Sequence, residues 1–504
     1  MKGLMMENLL MEKAFFWFAV LAVLLIMAGC GGGGDASSRT ALSPNFFDGE
    51  IKGEITISAY DSFTYKIYLE EAALGFQALY PGTKVNIEIF SALPVYITGM
   101  YGEEEVTILE TGDDTQSRQD YLSRINTKLM SGTGADLYAM DILPLHKYVE
   151  SKTLENLELY MNLDPGFNKL DYRQNIFEAL RYKDGIWFMP MNYSFFYFDY
   201  DPTLVTAQIA EGFSIDNSFS TEDLLNLGNS LHDGSHQLFR MDERALVGQL
   251  LKENMHYFIN LDTRRVNFLD GRFTALLNAV RNYAEQSYIS HHVSGELSYE
   301  QLVQNAFADV STRYYFRLEL NHSLIELLFR NFPAILSTMG MDYRPSISEY
   351  NEIAGIHANA DGLVPFKYWQ GFGMNSQSKN KATAWTFIKY LLSKELQIPG
   401  YYGIGLGINN EARAEGAEFR LFGGRLEDKG TALSGRQRQA LEEYVEEYKA
   451  MLEKFSDRIN TFAIKDENLD DMIRTELGYY FAGTRSAEEI ARILQNRVDL
   501  YLSE

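Results

Sequence analysis

The stretch from Gly53 to Phe90 sets the strongest limit on what this chain can become. "GEITISAY" alternates Ile55, Ile57 and Ala59 with other residues, the period-2 pattern of a strand. A helix follows, with Leu69, Ala73, Phe76 and Leu79 on one face, and Pro81-Gly82 stops it. "TKVNIEIF" reads as a second strand. A strand–helix–strand unit implies parallel strands, so the fold class is α/β.

The rest of the chain carries the same alphabet. Residues 91–120 are acidic and turn-rich, with Glu103-Glu104-Glu105 and Asp113-Asp114, and read as an inserted hairpin. "YLSRINTKLMSGTGADLYAMD" is a helix, a glycine turn and a strand. Met140, Asp141 and Ile142 stand at the carboxyl end of that strand, where open α/β sheets bind their ligands. "YKDGIWFMPMNYSFFYF" is a turn at Lys183-Asp184-Gly185, a strand broken by Pro190, and a second extended run. Residues 221–310 read as mostly helical. After a loop and strand at Gly362–Gly373, Trp385, Ile388 and Leu392 form the buried stripe of a helix, with Pro399 beyond its end. The last helix opens on Ser486-Ala487-Glu488-Glu489, a capping box, and buries Ile490, Ile493, Leu494 and Val498.

The only cysteine of 504 residues, Cys30, lies before all of this. Ala14 to Ala28 is an apolar run of about 15 residues, shorter than the roughly 20 of a permanent span. Its length and its small closing residues suit a signal peptide over 1–29. Ala28-Gly29-Cys30 has the form of a lipobox, in which the cysteine receives a diacylglycerol thioether and acyl chains such as palmitate. Met27 and the mixed charges of Lys2, Glu7, Glu12 and Lys13 depart from the usual pattern. Residues 30–45, with Gly31 to Gly34, read as a flexible tether. A mature chain outside the cytoplasm with no further thiol has no disulfide. The formal net charge of −24 argues against nucleic acid and anionic lipid headgroups as partners.

Taken in order, "ITISAYDS…LGFQALYPGTKVNIEIF", "SGTGADLYAMD", "KDGIWFMP", "GMNSQSKNKATAWTFIKYLLSKELQ" and "YYFAGTRSAEEIARILQNRVDLYLSE" resemble the maltose-binding-protein-like group of extracellular solute-binding proteins, the receptors of ABC importers. The resemblance implies a periplasmic-binding-protein-like fold of two α/β lobes joined by a hinge. Lobe one takes 46–191 and 360–404, and lobe two takes 195–358 and 406–504. The implied activity is capture of a small solute, mostly a sugar or oligosaccharide, and delivery to an ABC permease at the cell membrane. No cofactor, metal or catalytic residue is implied.

Carried over position by position, the resemblance lines the cleft with Tyr60, Asp61 and Ser62, then Met140, Asp141 and Ile142. Asn192, Tyr193 and Ser194 follow from the hinge, and Tyr368, Trp369 and Gln370 from the segment before the helix at 380. The residue types suit sugars, whose C–H faces lie on aromatic rings and whose hydroxyls both donate and accept. Each position has a structural reading beside this one. Tyr193 and Phe195 suit the core of a strand, Asp61 suits a helix cap, and Trp369 suits either a ligand platform or a packed loop. Ser194 and Met140 stand where sugar-binding relatives carry an acid or an aromatic, which argues against maltose itself.

Other classes leave no trace. There is no Gly-Lys dipeptide and hence no P-loop, no His-Glu-x-x-His and no Gly-x-Ser-x-Gly. Gly403-Ile404-Gly405-Leu406-Gly407 reads as a tight turn at a lobe crossing. His232-Asp233-Gly234-Ser235-His236 reads as a loop, and His291-His292 as a solvated pair. A cell-surface glycoside hydrolase and a sensor for a signalling receptor are the two alternative functions.

Overall fold

The computed structural model describes residues 46–60, 65–90, 95–101, 104–110, 115–232, 234–290, 314–320, 351–398, 405–422 and 435–503. Cys30, the tether, Asp61, Ser62, Asp233, His291, His292, Pro399, Gly403 and Ile404 lie outside them. The chain to Gly49 and the chain from Glu50 are separate compact units. All strands and helices of the described residues belong to the second.

Strand β1 (Gly53–Tyr60), helix α1 (Tyr65–Leu79) and β2 (Thr83–Phe90) form the expected unit, with β1 and β2 parallel from Gly53↔Thr83 to Tyr60↔Phe90. Ser58 and Tyr60 are buried along with Ile55, Ile57 and Ala59, because a parallel strand is covered on both faces. On α1, Leu69, Ala73 and Phe76 are buried, but Leu79 is exposed: it ends the helix beyond the reach of the sheet. Strands β3 (Val95–Tyr101) and β4 (Glu104–Glu110) are the inserted hairpin. The insertion is shorter than expected, since helix α2 (Thr115–Met130) already begins at Thr115. Gly132, at φ +68°, closes α2, with the Thr133 N–H returning to the Lys128 carbonyl.

Next come β5 (Leu137–Ala139), α3 (Leu145–Glu150), β6 (Met189–Pro190), β7 (Asn192–Tyr193), β8 (Phe196–Tyr200), β9 (Ser218–Phe219) and β10 (Gln237–Phe239). Tyr182 and Gly185 bond reciprocally across Lys183-Asp184, so the turn read there is present. Helix α4 (Glu243–Phe258), the short strands β11 (Ile259–Asn260) and β12 (Arg265–Val266), and α5 (Arg272–Glu285) follow. The stretch after 221 is thus less purely helical than its sequence suggests.

The last third holds β13 (Tyr314–Leu320), β14 (Glu352–His357), β15 (Pro365–Phe366), β16 (Gly371–Met374), α6 (Lys381–Leu391), β17 (Leu406–Gly407), α7 (Asn410–Phe422), α8 (Gly435–Ser456), β18 (Thr461–Phe462), α9 (Glu467–Phe481) and α10 (Ala487–Ser503). Trp385, Ile388 and Leu392 are fully enclosed. The Ser486 and Glu489 bonds of the capping box are made. Ile490, Leu494 and Val498 are buried, and Ile493 is only half-buried.

Two five-stranded sheets result. The first runs β2-β1-β5-β16-β6, the second β10-β13-β8-β14-β9. The chain leaves the first sheet after Pro190 and enters the second at Phe196. It returns between His357 and Gly371. At the first passage, β7 pairs antiparallel with β17, Tyr193 opposite Leu406. A Cβ on Gly405 would stand 2.9 Å from the Tyr193 carbonyl oxygen, so this junction needs glycine. The core beneath the second sheet joins Phe198, Phe239 and Phe316 to Leu246, Leu250, Leu277, Val280, Ile473, Leu494 and Val498, so α9 and α10 belong to it. Among the described residues, no helix is long and apolar enough to cross a membrane.

Candidate functional site

The predicted residues gather at one edge of the first sheet. Ile57↔Leu137 and Ser58↔Tyr138 set the parallel register of β1 and β5, which brings Tyr60 level with Met140 at their carboxyl ends. β16 runs antiparallel to both β5 and β6, so its first residues come to the same edge. Backbone bonds lock this: Met140 N–H donates to the Gly371 carbonyl (2.8 Å) and Met191 N–H to the Gln370 carbonyl (2.7 Å). The Tyr368 hydroxyl donates to the Met140 carbonyl at 2.9 Å, and the Trp369 N–H donates to Asn192 Oδ1 at 3.1 Å.

These residues do not share one role. Met140, Asn192, Ser194 and Gln370 are buried beneath the edge. Tyr193 is 0% exposed and its hydroxyl donates to Ser456 Oγ at 2.9 Å. Phe195 is equally enclosed and packs on Phe455. Both are core of the inter-sheet strand. Asn192 positions Trp369 rather than facing outward. Tyr60 is almost covered, packed on Phe90 and Tyr121. Asp141, Ile142, Tyr368 and Trp369 are half-buried and form the accessible face. Burial and the nearby Asp141 charge raise the Tyr368 hydroxyl well above its ordinary range, so it stays a neutral donor. Its ring rests on Phe188 (4.8 Å) and Phe462 (5.7 Å).

Facing residues come from the second half of the chain. β15 pairs parallel with β18, Phe366 opposite Phe462, so Lys367 and Lys465 leave the same end of this small ladder. Ser194 and Lys367 exchange backbone bonds of 2.7 and 2.8 Å. The Lys367 ammonium lies 4.3 Å from the Phe196 ring centre. It is open to solvent yet walled by protein, and burial pushes its pKa down to about 8, with repulsion from Lys252 and Lys465 adding to this. Asp470, on the first turn of α9, is half-buried. Burial and Glu467 raise its carboxyl, against Lys465 and Lys252. Lys465 pairs with Glu467. Sequence reading passed over Lys252, Lys367, Lys465 and Asp470. Lys367 adjoins Tyr368-Trp369 and was legible in principle; nothing local marks the other three.

A second set of contacts ties the two sheet-bearing halves together. Arg118 on α2 meets Asp471 (3.1 Å) and Glu467 (3.9 Å) on α9. Lys147 on α3 lies 3.6 Å over the Tyr501 ring and bonds the Tyr501 carbonyl. His146 Nε2 stands 3.5 Å from Asp466 Oδ2. Among the described residues no group of His, Cys, Asp and Glu could hold a metal ion.

This arrangement, two α/β halves with aromatic and acidic residues at their junction, is that of the two-lobed periplasmic-binding-protein-like fold. No protein-family model and no curated relative matches the sequence. Solved structures do match. The sugar-binding protein MalE of Xanthomonas citri shares 14% identity at a TM-score of 0.54, covering 90% of this chain and 98% of its own. An extracellular solute-binding protein family 1 member from Alicyclobacillus acidocaldarius shares 11% at 0.52, covering 91% and 100%. An ABC substrate-binding protein from Listeria monocytogenes, in complex with cycloalternan, shares 14% at 0.50, covering 90% and 99%. Most such neighbours are binding proteins, and designed esterases occur among them. The chain therefore has the fold that its sequence resemblance implied, over nearly its whole length.

Proposed function

We propose that this chain is a lipid-anchored extracytoplasmic receptor that captures a sugar or oligosaccharide and delivers it to an ABC permease without chemical change. The observation that carries this reading is the junction itself. Asp141, Tyr368 and Trp369 bring a carboxylate and two half-buried aromatic side chains to the carboxyl edge of one sheet, beside segments that pass to the other. The indole N–H of Trp369 has no partner among the described residues, so it is free to meet a ligand hydroxyl. The cycloalternan bound to one structure of this fold and the sugar-binding name of another favour the same ligand class. The passages at 191–195, near 360 and near 405 would serve as the hinge between lobe one (46–191, 360–404) and lobe two (195–358, 406–504). Cys30 would carry the lipid.

A thermal-shift screen over neutral and acidic saccharides tests the reading. A ligand at 100 times its Kd adds about 2.7 kcal/mol of stability. It should be recovered unaltered after long incubation; release of cleaved sugar would favour the hydrolase alternative, and no shift with any saccharide would remove the reading. In cells, Cys30→Ala should abolish acyl labelling, and labelling that persists would end the lipid-anchor part of it.

A further inference from the structure

The chain is strongly acidic, with 45 Lys and Arg against 69 Asp and Glu. Lysines that gather are therefore unexpected, and three gather beside the candidate site, of which only Lys465 has an acid partner among the described residues. Lys367 and Lys465 emerge from one end of the β15–β18 ladder. Lys252 reaches the same place from α4. Its neighbour Glu253 is bound at 2.9 Å to His357 Nε2, and the His357 ring packs at 6.1 Å on Phe196, the ring under the Lys367 ammonium. Both Lys252 and Lys465 lie close enough to repel the charge on Lys367.

The local acids offset only part of this. Glu467 is engaged by Lys465 and Arg118. Burial and Glu467 raise the Asp470 carboxyl, while Lys465 and Lys252 favour its charged form. Among the described residues neither Lys252 nor Lys367 has a carboxylate within ion-pair distance. Holding like charges near one another costs free energy that an anion would recover. Lys367 directly precedes Tyr368 and Trp369, which puts the cluster next to the candidate site along the chain.

We propose that the ligand is an anionic saccharide, whose carboxylate or sulfate group is held by Lys367 and Lys252 while its hydroxyls meet Asp470 and Asp141. This rests on the sugar-receptor reading and narrows it. Calorimetric titration of the mature chain with trigalacturonate, its fully methyl-esterified neutral form, a sulfated disaccharide and maltotriose tests it. A charged saccharide should bind at least tenfold more tightly than its neutral counterpart, and raised salt should weaken it. Lys252→Gln, on an exposed helix position, and Lys367→Gln should each cost about fivefold or more for the charged ligand and little for a neutral one, at unchanged melting temperature. Trigalacturonate against sulfated sugar separates the two sources of charge. Equal or tighter binding of the neutral forms overturns the proposal and leaves the receptor reading standing. Binding of the charged form that neither lysine variant weakens also overturns it. Binding of no saccharide, charged or neutral, overturns both.

Discussion

At the scale of single residues, two tryptophans separate packing from recognition. Trp385 is 0% exposed, its ring lies 5.5 Å from Tyr160, and its indole donates to Asp164 Oδ2 at 2.7 Å. Trp385→Ala should destabilise the ligand-free protein by roughly 3–5 kcal/mol, since a cavity opens and Asp164 loses a donor, keeping Lys389. Trp369 is half-buried and held through its backbone by Asn192. Trp369→Ala should move the melting temperature little and cost about 2 kcal/mol of ligand binding, near 30-fold. Parent-like binding by Trp369→Ala would show the indole to be packing alone. Both residues are aromatic in apolar surroundings, and only helical periodicity marked Trp385 as core. Trp369 had no period to betray it.

At the scale of elements, the start of α9 carries an unusual charge. Asp466 caps the helix, its Oδ1 accepting from Asn468 and Leu469 N–H, while Tyr501 donates to Oδ2 at 2.9 Å. Burial outweighs these bonds and pushes its pKa up to about 6. Burial and Lys147 push His146 down to about 4. A raised carboxyl contributes stability that is present below its unfolded value of 3.8 and is lost as pH rises through 6. The depressed His146 acts oppositely, gaining stability as pH rises from 4 toward 6.5. The two slopes oppose each other between pH 4 and 6. Asp466→Asn removes the first while retaining a capping oxygen. Relative to the parent, it should gain about 2 kcal/mol between pH 4 and pH 7 in urea unfolding. A difference that stays constant with pH would refute the raised carboxyl. None of this was legible beforehand, because a cap motif does not say what the next layer buries it under.

At the scale of the whole molecule, hinge closure is the expected motion. The chain crosses between its two sheets through extended segments, and among the described residues short pairings stand at those crossings: the β7–β17 and β15–β18 ladders and the Ser194–Lys367 bridge. Short ladders bend more readily than five-stranded sheets. Saturating ligand should reduce the radius of gyration in small-angle scattering; a radius unchanged at saturation would mean that binding occurs without closure. The Arg118 and Lys147 contacts on α9 and α10 are the groups such a motion must make or release.

The sequence by itself determined the elements. Apolar spacing placed β1, α1, β2, α6 and α10, glycine placed the end of α2, and a four-residue pattern placed the cap of α10. Those signals are local, and a chain's backbone obeys them locally. The strand–helix–strand unit gave the α/β class, and the two-lobed fold came from the resemblance that the segments bear, in their order, to solute-binding proteins. Tertiary structure alone decided the rest. Alternation tells that Tyr193 and Trp369 each face something, but not whether that something is Ser456 or open space. Lys252 on α4, Lys367 after β15 and Lys465 after β18 come from three distant stretches, and their meeting follows from how such stretches cross between two sheets, a relation that no stretch of sequence contains.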